Sequence, residues 1–114
     1  MVTTEIGQRA EQQAAEYLER EGYRVVGRNW RRRDCEIDIV ARRGAVVYFV
    51  EVKYRAADGS GSGLEYITAK KLKRMAYAAS RWIQEAGWVG EYQLAAIEVS
   101  GESFEVTAFI DDIY

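Results

Sequence analysis

Two segments of the chain carry apolar residues at helical spacing. In residues 7–21, Ala10, Ala14 and Leu18 recur every fourth position, which places them on one face of a helix. A second helix is predicted to begin after Thr68, whose hydroxyl suits an N-cap. Its apolar face is formed by Leu72, Met75, Ala76, Ala79, Trp82 and Ile83. Each helix therefore has one side that can pack on a sheet.

Five shorter segments have the composition of strands. They are residues 23–28, 35–41, 46–54, 93–99 and 104–110. Their β-branched and aromatic side chains favour extended backbone. Residues 31–34 and 42–45 are predicted turns, and the glycine- and serine-rich residues 57–63 are a predicted flexible loop. The order αβββαββ predicts a single α/β domain over residues 1–114, with a mixed central sheet flanked by helices.

The second and third strands form a predicted hairpin. Strict alternation places Cys35, Ile37, Ile39 and Ala41 on one face of the second strand, and Glu36, Asp38 and Val40 on the other. A turn about residues 43–44 would place Asp38 opposite Phe49. It would also place Glu36 opposite Glu51, so that the three carboxylates share one face.

Composition excludes several kinds of chemistry. The chain has one cysteine, Cys35, and no histidine. An internal disulfide, a zinc site of nitrogen and sulfur ligands, and histidine general-base catalysis are therefore excluded. Any bound metal would be a hard cation held by oxygens, such as Mg²⁺ or Mn²⁺. No apolar run approaches the roughly 20 residues of a membrane helix, and the N-terminal segment does not resemble a signal peptide. We expect a cytoplasmic protein without a membrane partner.

The net charge of −2 conceals a basic centre. Residues 24–74 carry thirteen lysines and arginines against six carboxylates, a net charge of +7. Such a segment can bind a polyanion, although solvated strand ends and one basic helix face would give the same pattern. The predicted nucleic-acid-binding side chains are Arg31, Arg32, Arg33, Arg42, Arg55, Lys70, Lys71 and Arg74.

The strand VVYFVEVKYR places charge where an apolar core strand ends. Its Glu51 and Lys53 are two residues apart and point the same way. Asp38 and Glu51 could converge on one Mg²⁺, which takes one or two carboxylates and completes its shell with water and phosphate oxygens. Lys53 could then orient or deprotonate a water molecule, or neutralise charge on an attacked phosphate. A salt-bridged strand end is the alternative.

Four strings of the sequence resemble one protein family. GQRAEQQAAEYLEREGYRVVGRNWR, EIDIVAR, VYFVEVKYR and ITAKKLKRM occur in the order and spacing of the small bacterial YraN-like proteins. Those proteins are similar to PD-(D/E)XK, restriction-endonuclease-like nucleases, especially archaeal Holliday-junction resolvases. The resemblance implies that Asp38, Glu51 and Lys53 form the D…E-x-K core and that Glu11 assists the metal site. It extends less directly to Glu36 and, as a phosphate contact, to Lys70.

The chain departs from the family pattern at two positions. Cys35 stands where glycine usually precedes E-I-D, which places a thiol near the predicted site. Gln93 stands where an aspartate is common, at a structural or auxiliary position. The core residues are intact.

These observations predict a Mg²⁺- or Mn²⁺-dependent nuclease that hydrolyses phosphodiester bonds in DNA, including branched or structured DNA. The resemblance also implies a homodimer, because nucleases of this fold that cut both strands generally work as twofold dimers. Two other classes fit the same residues. One is a nucleic-acid-binding or scaffold protein without turnover on a nuclease fold. The other is a structural protein with a buried ion network.

Overall fold

The computed structural model describes residues 2–56 and 67–113. Their elements in chain order are α1 (Val2–Arg20), β1 (Arg24–Arg32), β2 (Cys35–Arg43), β3 (Val46–Arg55), α2 (Ala69–Ala86), β4 (Glu91–Ser100) and β5 (Glu105–Ile110). The predicted αβββαββ order and α/β class are confirmed. The predicted loop 57–63 lies outside the described residues.

The five strands form one sheet in which spatial order follows chain order. Strands β1, β2 and β3 are antiparallel neighbours, β3 and β4 are parallel, and β4 and β5 are antiparallel. A parallel pair needs a long crossover connection, and α2 lies within the one that joins β3 to β4. The sheet is therefore mixed, as predicted.

The helices cover opposite faces of the sheet and create two apolar cores. On the α1 side, Leu18 packs with Ile39 and Val50. On the α2 side, Phe49 and Leu94 pack against the inner face of that helix. Burial of large apolar side chains on both faces explains why the first half of β3 is almost wholly apolar.

The helix ends follow from local chemistry. Thr68 Oγ1 accepts the backbone N–H of Lys71 at 3.1 Å, which confirms the predicted N-cap of α2. Gly87 adopts a left-handed φ of 71° and donates its N–H to the carbonyl of Ile83, which ends the helix. Helix α1 begins at Val2, before the first residue of the predicted apolar stripe. Neither helix in the described ranges is long and apolar enough to cross a membrane.

The register of the β2–β3 hairpin differs from the prediction by two residues. Val40, not Asp38, pairs with Phe49, and Ile39 pairs with Val50. The turn residues are 44–45, and Gly44 supplies a left-handed φ of 62° at the first turn position. That conformation suits a tight hairpin turn, whereas the prediction had started the turn one residue too early. The predicted opposition of Glu36 and Glu51 is therefore wrong.

Strict alternation along β2 also fails, and it fails at Asp38. Ile37 packs on the α2 side, yet Ile39 packs on the α1 side and Val40 again on the α2 side. In the β1–β2 ladder, Arg28 pairs with Ile39 and Trp30 with Ile37, so Asn29 stands across from Asp38. The left-handed φ of 54° at Asn29 distorts the ladder there. The predicted common face of Cys35, Ile37, Ile39 and Ala41 is therefore wrong.

The first predicted turn also begins later than expected. Arg31 and Arg32 continue β1, and the turn between β1 and β2 occupies residues 33–34. Hydrogen bonding to β2 carries the strand beyond its apolar residues, since Arg31 pairs with Glu36 and Arg32 with Cys35. Arg31 and Arg32 therefore lie on a paired strand, and Arg33 lies in the turn.

Candidate functional site

Asp38 lies in a fork between β2 and β3. The last regular pair of these strands is Ile39 with Val50. Beyond it, the Asp38 carboxylate accepts the backbone N–H of Val52 at 2.8 Å. A side chain thus holds the two strands together where backbone pairing stops, and the neighbouring residue on β3 is Glu51.

The environment of Asp38 is strongly electronegative. Burial, followed by the charge of Glu51, raises the pKa of Asp38 from 3.8 to about 7. Glu11 and Glu36 raise the pKa further, and the Val52 N–H partly opposes the shift. A cation beside Asp38 would relieve this repulsion, because each neighbouring carboxylate favours a positive charge at the same place.

Glu11 reaches the same region from α1. It forms an ion pair with Arg28, with 3.3 Å between Arg28 Nε and Glu11 Oε1. Burial nevertheless raises the pKa of Glu11, against the opposing charges of Arg28 and Arg31. Glu11 and Asp38 line one cavity of about 360 Å³ on the α1 side of the sheet. The structure therefore brings together two of the three predicted metal-binding carboxylates.

Glu51 faces the other side of the sheet. It lines a larger cavity of about 580 Å³ beside α2, and Lys71 of that helix places its Nζ 2.8 Å from Glu51 Oε2. The predicted shared face of Asp38 and Glu51 is therefore wrong. The break in alternation at Asp38 turns its side chain toward α1, whereas β3 alternates regularly and keeps Glu51 on the α2 side.

Lys53 follows Glu51 on the same side of β3. Its side chain is exposed, and its backbone is paired with that of Glu98 on β4. Glu51 and Lys53 thus face one side of the fork, and Asp38 and Glu11 face the other. The two sides of the sheet meet at the fork, where the pairing of β2 and β3 stops.

The larger cavity is predominantly basic. Its charged lining consists of Arg31, Arg32, Arg33, Lys71, Lys73 and Arg74 with Asp34, Glu36 and Glu51. The structure therefore brings together five predicted nucleic-acid-binding residues from β1, the following turn and α2. Lys73 was missed as a site residue, although its charge and its place beside Arg74 would have allowed its inclusion. We call this cavity, defined by those nine residues, the basic groove.

Contacts between the hairpin and α2 hold the outer wall of the basic groove. Asp34 accepts a hydrogen bond from Tyr77 Oη at 2.6 Å and from Arg81 at 2.8 Å. These contacts lower the pKa of Asp34, that from Tyr77 most strongly. On the same wall, Arg32 forms an ion pair with Glu85. The charge of Arg32 is thus partly neutralised by Glu85 of α2, and these contacts hold the β1–β2 hairpin against that helix.

Three predicted nucleic-acid-binding residues do not line the basic groove. Arg42 lies near the opposite end of the hairpin, where it donates to the carbonyl of Gly44 and covers the Trp88 ring. Arg55 forms an ion pair with the buried Glu98, with 2.7 Å between Nε and Oε2. Lys70 is exposed in the first turn of α2.

The two departures from the family pattern have different surroundings. Cys35 lines the basic groove, and burial raises the pKa of its thiol, which favours the protonated and less nucleophilic form. Gln93 is half-buried on β4, next to Tyr48 of β3. Neither residue lies between the carboxylates of the fork.

The carboxylates of the fork suit a hard cation in type but do not form a complete cage. Within residues 2–56 and 67–113, no group of three or more acidic or cysteine side chains is arranged to hold a metal ion. Mg²⁺ does not require such a group, because it commonly binds one or two carboxylates and keeps several waters. Asp38 and Glu51 therefore fit the donor chemistry of this ion.

Comparison with known proteins assigns the chain to a family. The model of the uncharacterised protein family UPF0102 matches residues 10–108. This chain belongs to the UPF0102 family. A UPF0102 protein of Leifsonia xyli is 47% identical over 83 residues, which cover 73% of this chain and 70% of the relative. Another, from Pseudomonas putida strain F1, is 45% identical over 86 residues, covering 75% and 70%. The YraN-like resemblance is confirmed, and the matched region contains Glu11, Asp38, Glu51 and Lys53.

Proposed function

We propose that this UPF0102 protein is a Mg²⁺- or Mn²⁺-dependent nuclease that hydrolyses phosphodiester bonds in DNA, including branched or structured DNA. The observation that carries the proposal is the position of Asp38. Its carboxylate replaces a strand partner in the β2–β3 fork, next to Glu51 and with the basic groove on the far side. Carboxylates beside a cationic groove suit a metal ion acting on a phosphate.

Asp38 and Glu51 would hold the cation, and Glu11 would support it from α1. When bound, the ion would supply Lewis-acid stabilisation of charge on a phosphoryl oxygen. Asp38 is fixed by the Val52 N–H and Glu11 by Arg28, so two of these oxygen donors are oriented by the protein itself. The rigid strands set where the phosphate must lie.

Lys53 would act on the side of the fork that Glu51 faces. Its ammonium would neutralise negative charge that develops on the attacked phosphate, or Lys53 would orient or deprotonate the attacking water. Lys53 is exposed, as a side chain that meets substrate must be. The residue two positions earlier is the proposed metal ligand, so the spacing E-x-K delivers both groups from one strand.

The basic groove would bind the DNA backbone. Six lysines and arginines in its lining outnumber three carboxylates, which favours phosphate binding without base readout. The affinity should therefore fall steeply with salt and vary little with sequence. A twofold dimer would supply a second site for cutting the opposite strand.

A cleavage assay tests the proposal. Wild type, Asp38→Asn and Lys53→Met proteins would be incubated with Mg²⁺ or Mn²⁺ and linear, nicked, flapped, four-way-junction and single-stranded DNA, with RNA in parallel. Arg20→Met is the matched control, since it removes an exposed cation in the last turn of α1 that belongs to no predicted site. We expect metal-dependent cutting of at least one DNA that is lost in the first two variants and kept in the control. Cutting that survives Asp38→Asn would contradict the proposed site.

A binding protein without turnover is the second candidate. The observation in its favour is that Glu51 is already occupied by Lys71, on the opposite side of the sheet from Asp38. This candidate predicts salt-sensitive binding to DNA, no cutting with either metal, and affinity that is unchanged by Lys53→Met. Electrophoretic mobility shifts with the same DNA set would distinguish it from the nuclease.

A further inference from the structure

The ion pair between Lys71 and Glu51 joins the basic groove to the fork. The two charged atoms are 2.8 Å apart, and the side chains are only 30% and 22% exposed. The pair is thus partly shielded from water, where its attraction is stronger than that of a fully exposed pair. Of the two proposed metal ligands, Glu51 lines the basic groove, whereas Asp38 lines the smaller cavity on the α1 side.

The backbone of Lys71 is held while its ammonium can turn. Its N–H is capped by Thr68 Oγ1, and α2 is anchored on the sheet by the buried Ala78 and Ala79. The four methylenes of the lysine side chain can nevertheless rotate without any shift of the helix. The neighbouring cations Lys73 and Arg74 face the same groove, so a phosphate bound there would lie within the range of Lys71.

An ammonium and a divalent cation compete for the carboxylate of Glu51. Two positive groups within a few ångströms repel each other, and the repulsion is strongest where water is partly excluded. A metal ion that uses Glu51 must therefore displace Lys71 or bind beside it at a cost. The displaced ammonium needs another anion, and the DNA backbone in the basic groove would provide one.

We infer that Lys71 is an internal counter-ion of Glu51, which gives up its place when a divalent cation binds and then contacts a phosphate of the DNA. The inference rests on the proposed function and adds a regulation of the same site. Metal binding and DNA binding then strengthen each other. A bound cation displaces Lys71 from Glu51, which leaves the ammonium ready to contact DNA. A bound phosphate draws Lys71 away, which leaves Glu51 ready to bind the cation. Thermodynamic linkage requires the assistance to be equal in both directions. Without DNA, the protein should bind the metal weakly.

Metal titration tests the inference without any cleavage. Isothermal titration calorimetry with Mn²⁺ would compare wild type with Lys71→Met, which has a similar length and no charge. Lys73→Met is the matched control, since Lys73 lines the same groove from the same helix. In the absence of DNA we expect Lys71→Met to bind Mn²⁺ about fivefold or more tightly than wild type, a coupling of ordinary size. The effect of Lys73→Met should be clearly smaller.

The same titration with a saturating phosphorothioate-linked duplex, which resists hydrolysis, measures the coupling. DNA should raise the Mn²⁺ affinity of wild type and of Lys73→Met by similar factors. It should raise that of Lys71→Met much less, because the competing ammonium is already absent. Lys71→Arg keeps the charge and should behave more like wild type than Lys71→Met, which separates the counter-ion from a packing effect.

Each outcome bears on one of two ideas. Equal Mn²⁺ affinity and equal coupling in wild type and Lys71→Met would overturn the inference, while Mn²⁺ binding that is lost in Asp38→Asn would still support the proposed site. Absence of Mn²⁺ binding in every variant would overturn both. Thermal denaturation of each variant confirms folding, and Lys71→Gln replaces Lys71→Met if that variant is unstable.

Discussion

Asp38 accepts the backbone N–H of Val52 at 2.8 Å, and this bond stands where the pairing of β2 and β3 stops. A carboxylate in that position serves both structure and chemistry. It satisfies a backbone donor that strand separation would otherwise leave without a partner. It also concentrates negative charge in the fork, so stability and cation binding depend on the same side chain.

Stability should fall as the pH rises from about 4 to 7. The pKa of Asp38 is about 7 in the folded protein, above its ordinary value of 3.8. In this window the folded state binds more protons than the unfolded state, so deprotonation disfavours folding. The contribution of Asp38 approaches at most roughly 1.4 kcal/mol per pH unit. Urea denaturation at several pH values, without divalent metal, measures it.

Asp38→Asn is the matched variant for this prediction. Asparagine keeps an oxygen that can accept the Val52 N–H but carries no charge. The variant should therefore be more stable than wild type at pH 8 and should depend less on pH between 4 and 7. Glu102→Gln, at an exposed carboxylate in the turn before β5, is the control and should follow wild type. An equal pH slope in Asp38→Asn and wild type would assign the dependence to other groups.

The elements of the fold could be predicted because their causes are local. Apolar spacing located α1 and α2, and Thr68 and Gly87 have side-chain and backbone properties that mark helix ends wherever they occur. The faces of β2 could not be obtained in this way. Alternation assumes an undistorted ladder, whereas Asn29 on the neighbouring strand adopts a left-handed conformation across from Asp38. That distortion depends on pairing between strands, which periodicity along β2 does not contain.

Asn29 should tolerate glycine better than alanine. Its φ of 54° lies in the left-handed region, which costs a residue with a Cβ roughly 1–2 kcal/mol and costs glycine little. Asn29→Ala should therefore unfold at lower denaturant than Asn29→Gly, by about 1 kcal/mol. Both variants lose the acceptor that Asn29 Oδ1 offers to Arg31 Nε at 2.9 Å. Glycine also gives the unfolded chain more conformational freedom, which works against Asn29→Gly. A more stable Asn29→Gly therefore requires that backbone strain outweighs this entropy, and the reverse order would contradict the prediction.

The contacts between the β1–β2 hairpin and α2 should govern local motion more than global stability. Glu85 and Arg32 are exposed, and exposed ion pairs add little to the free energy of unfolding. Glu85→Gln should leave the denaturation midpoint almost unchanged. It should speed amide hydrogen exchange in residues 31–35, because local opening requires only the release of the hairpin tip. Glu102→Gln, in the turn before β5, should leave that exchange unchanged.

The basic groove could be anticipated from charge, but the partners of individual cations could not. Arg33 and Arg55 both belong to the basic segment, yet one lines the groove and the other pairs with Glu98. The difference arises from the parallel pairing of β3 and β4, which brings Glu98 beside the end of β3. Residues about 45 positions apart in sequence meet only when that long crossover is made.

Breaking the Arg55–Glu98 pair should destabilise the protein strongly. The Glu98 side chain is 7% exposed, and its Oε1 also accepts a hydrogen bond from Thr107 at 2.7 Å. Removing one charge leaves the other buried without its counter-ion, which typically costs about 3–5 kcal/mol. Arg55→Met should therefore lower the free energy of unfolding by a large amount, measured by urea denaturation at pH 7.

A double-mutant cycle separates the loss of the pair from the loss of packing. Arg55→Met combined with Glu98→Gln removes both charges, so the double variant should be more stable than Arg55→Met alone. Arg33→Met is the control for loss of a cation, because that side chain is exposed in the basic groove. If the two single losses simply add, the buried unpaired charge is not the cause of the lost stability. If the double variant recovers stability, the role of Arg55 is structural: it is the counter-ion of the buried Glu98 at the end of β3, the strand that carries Lys53.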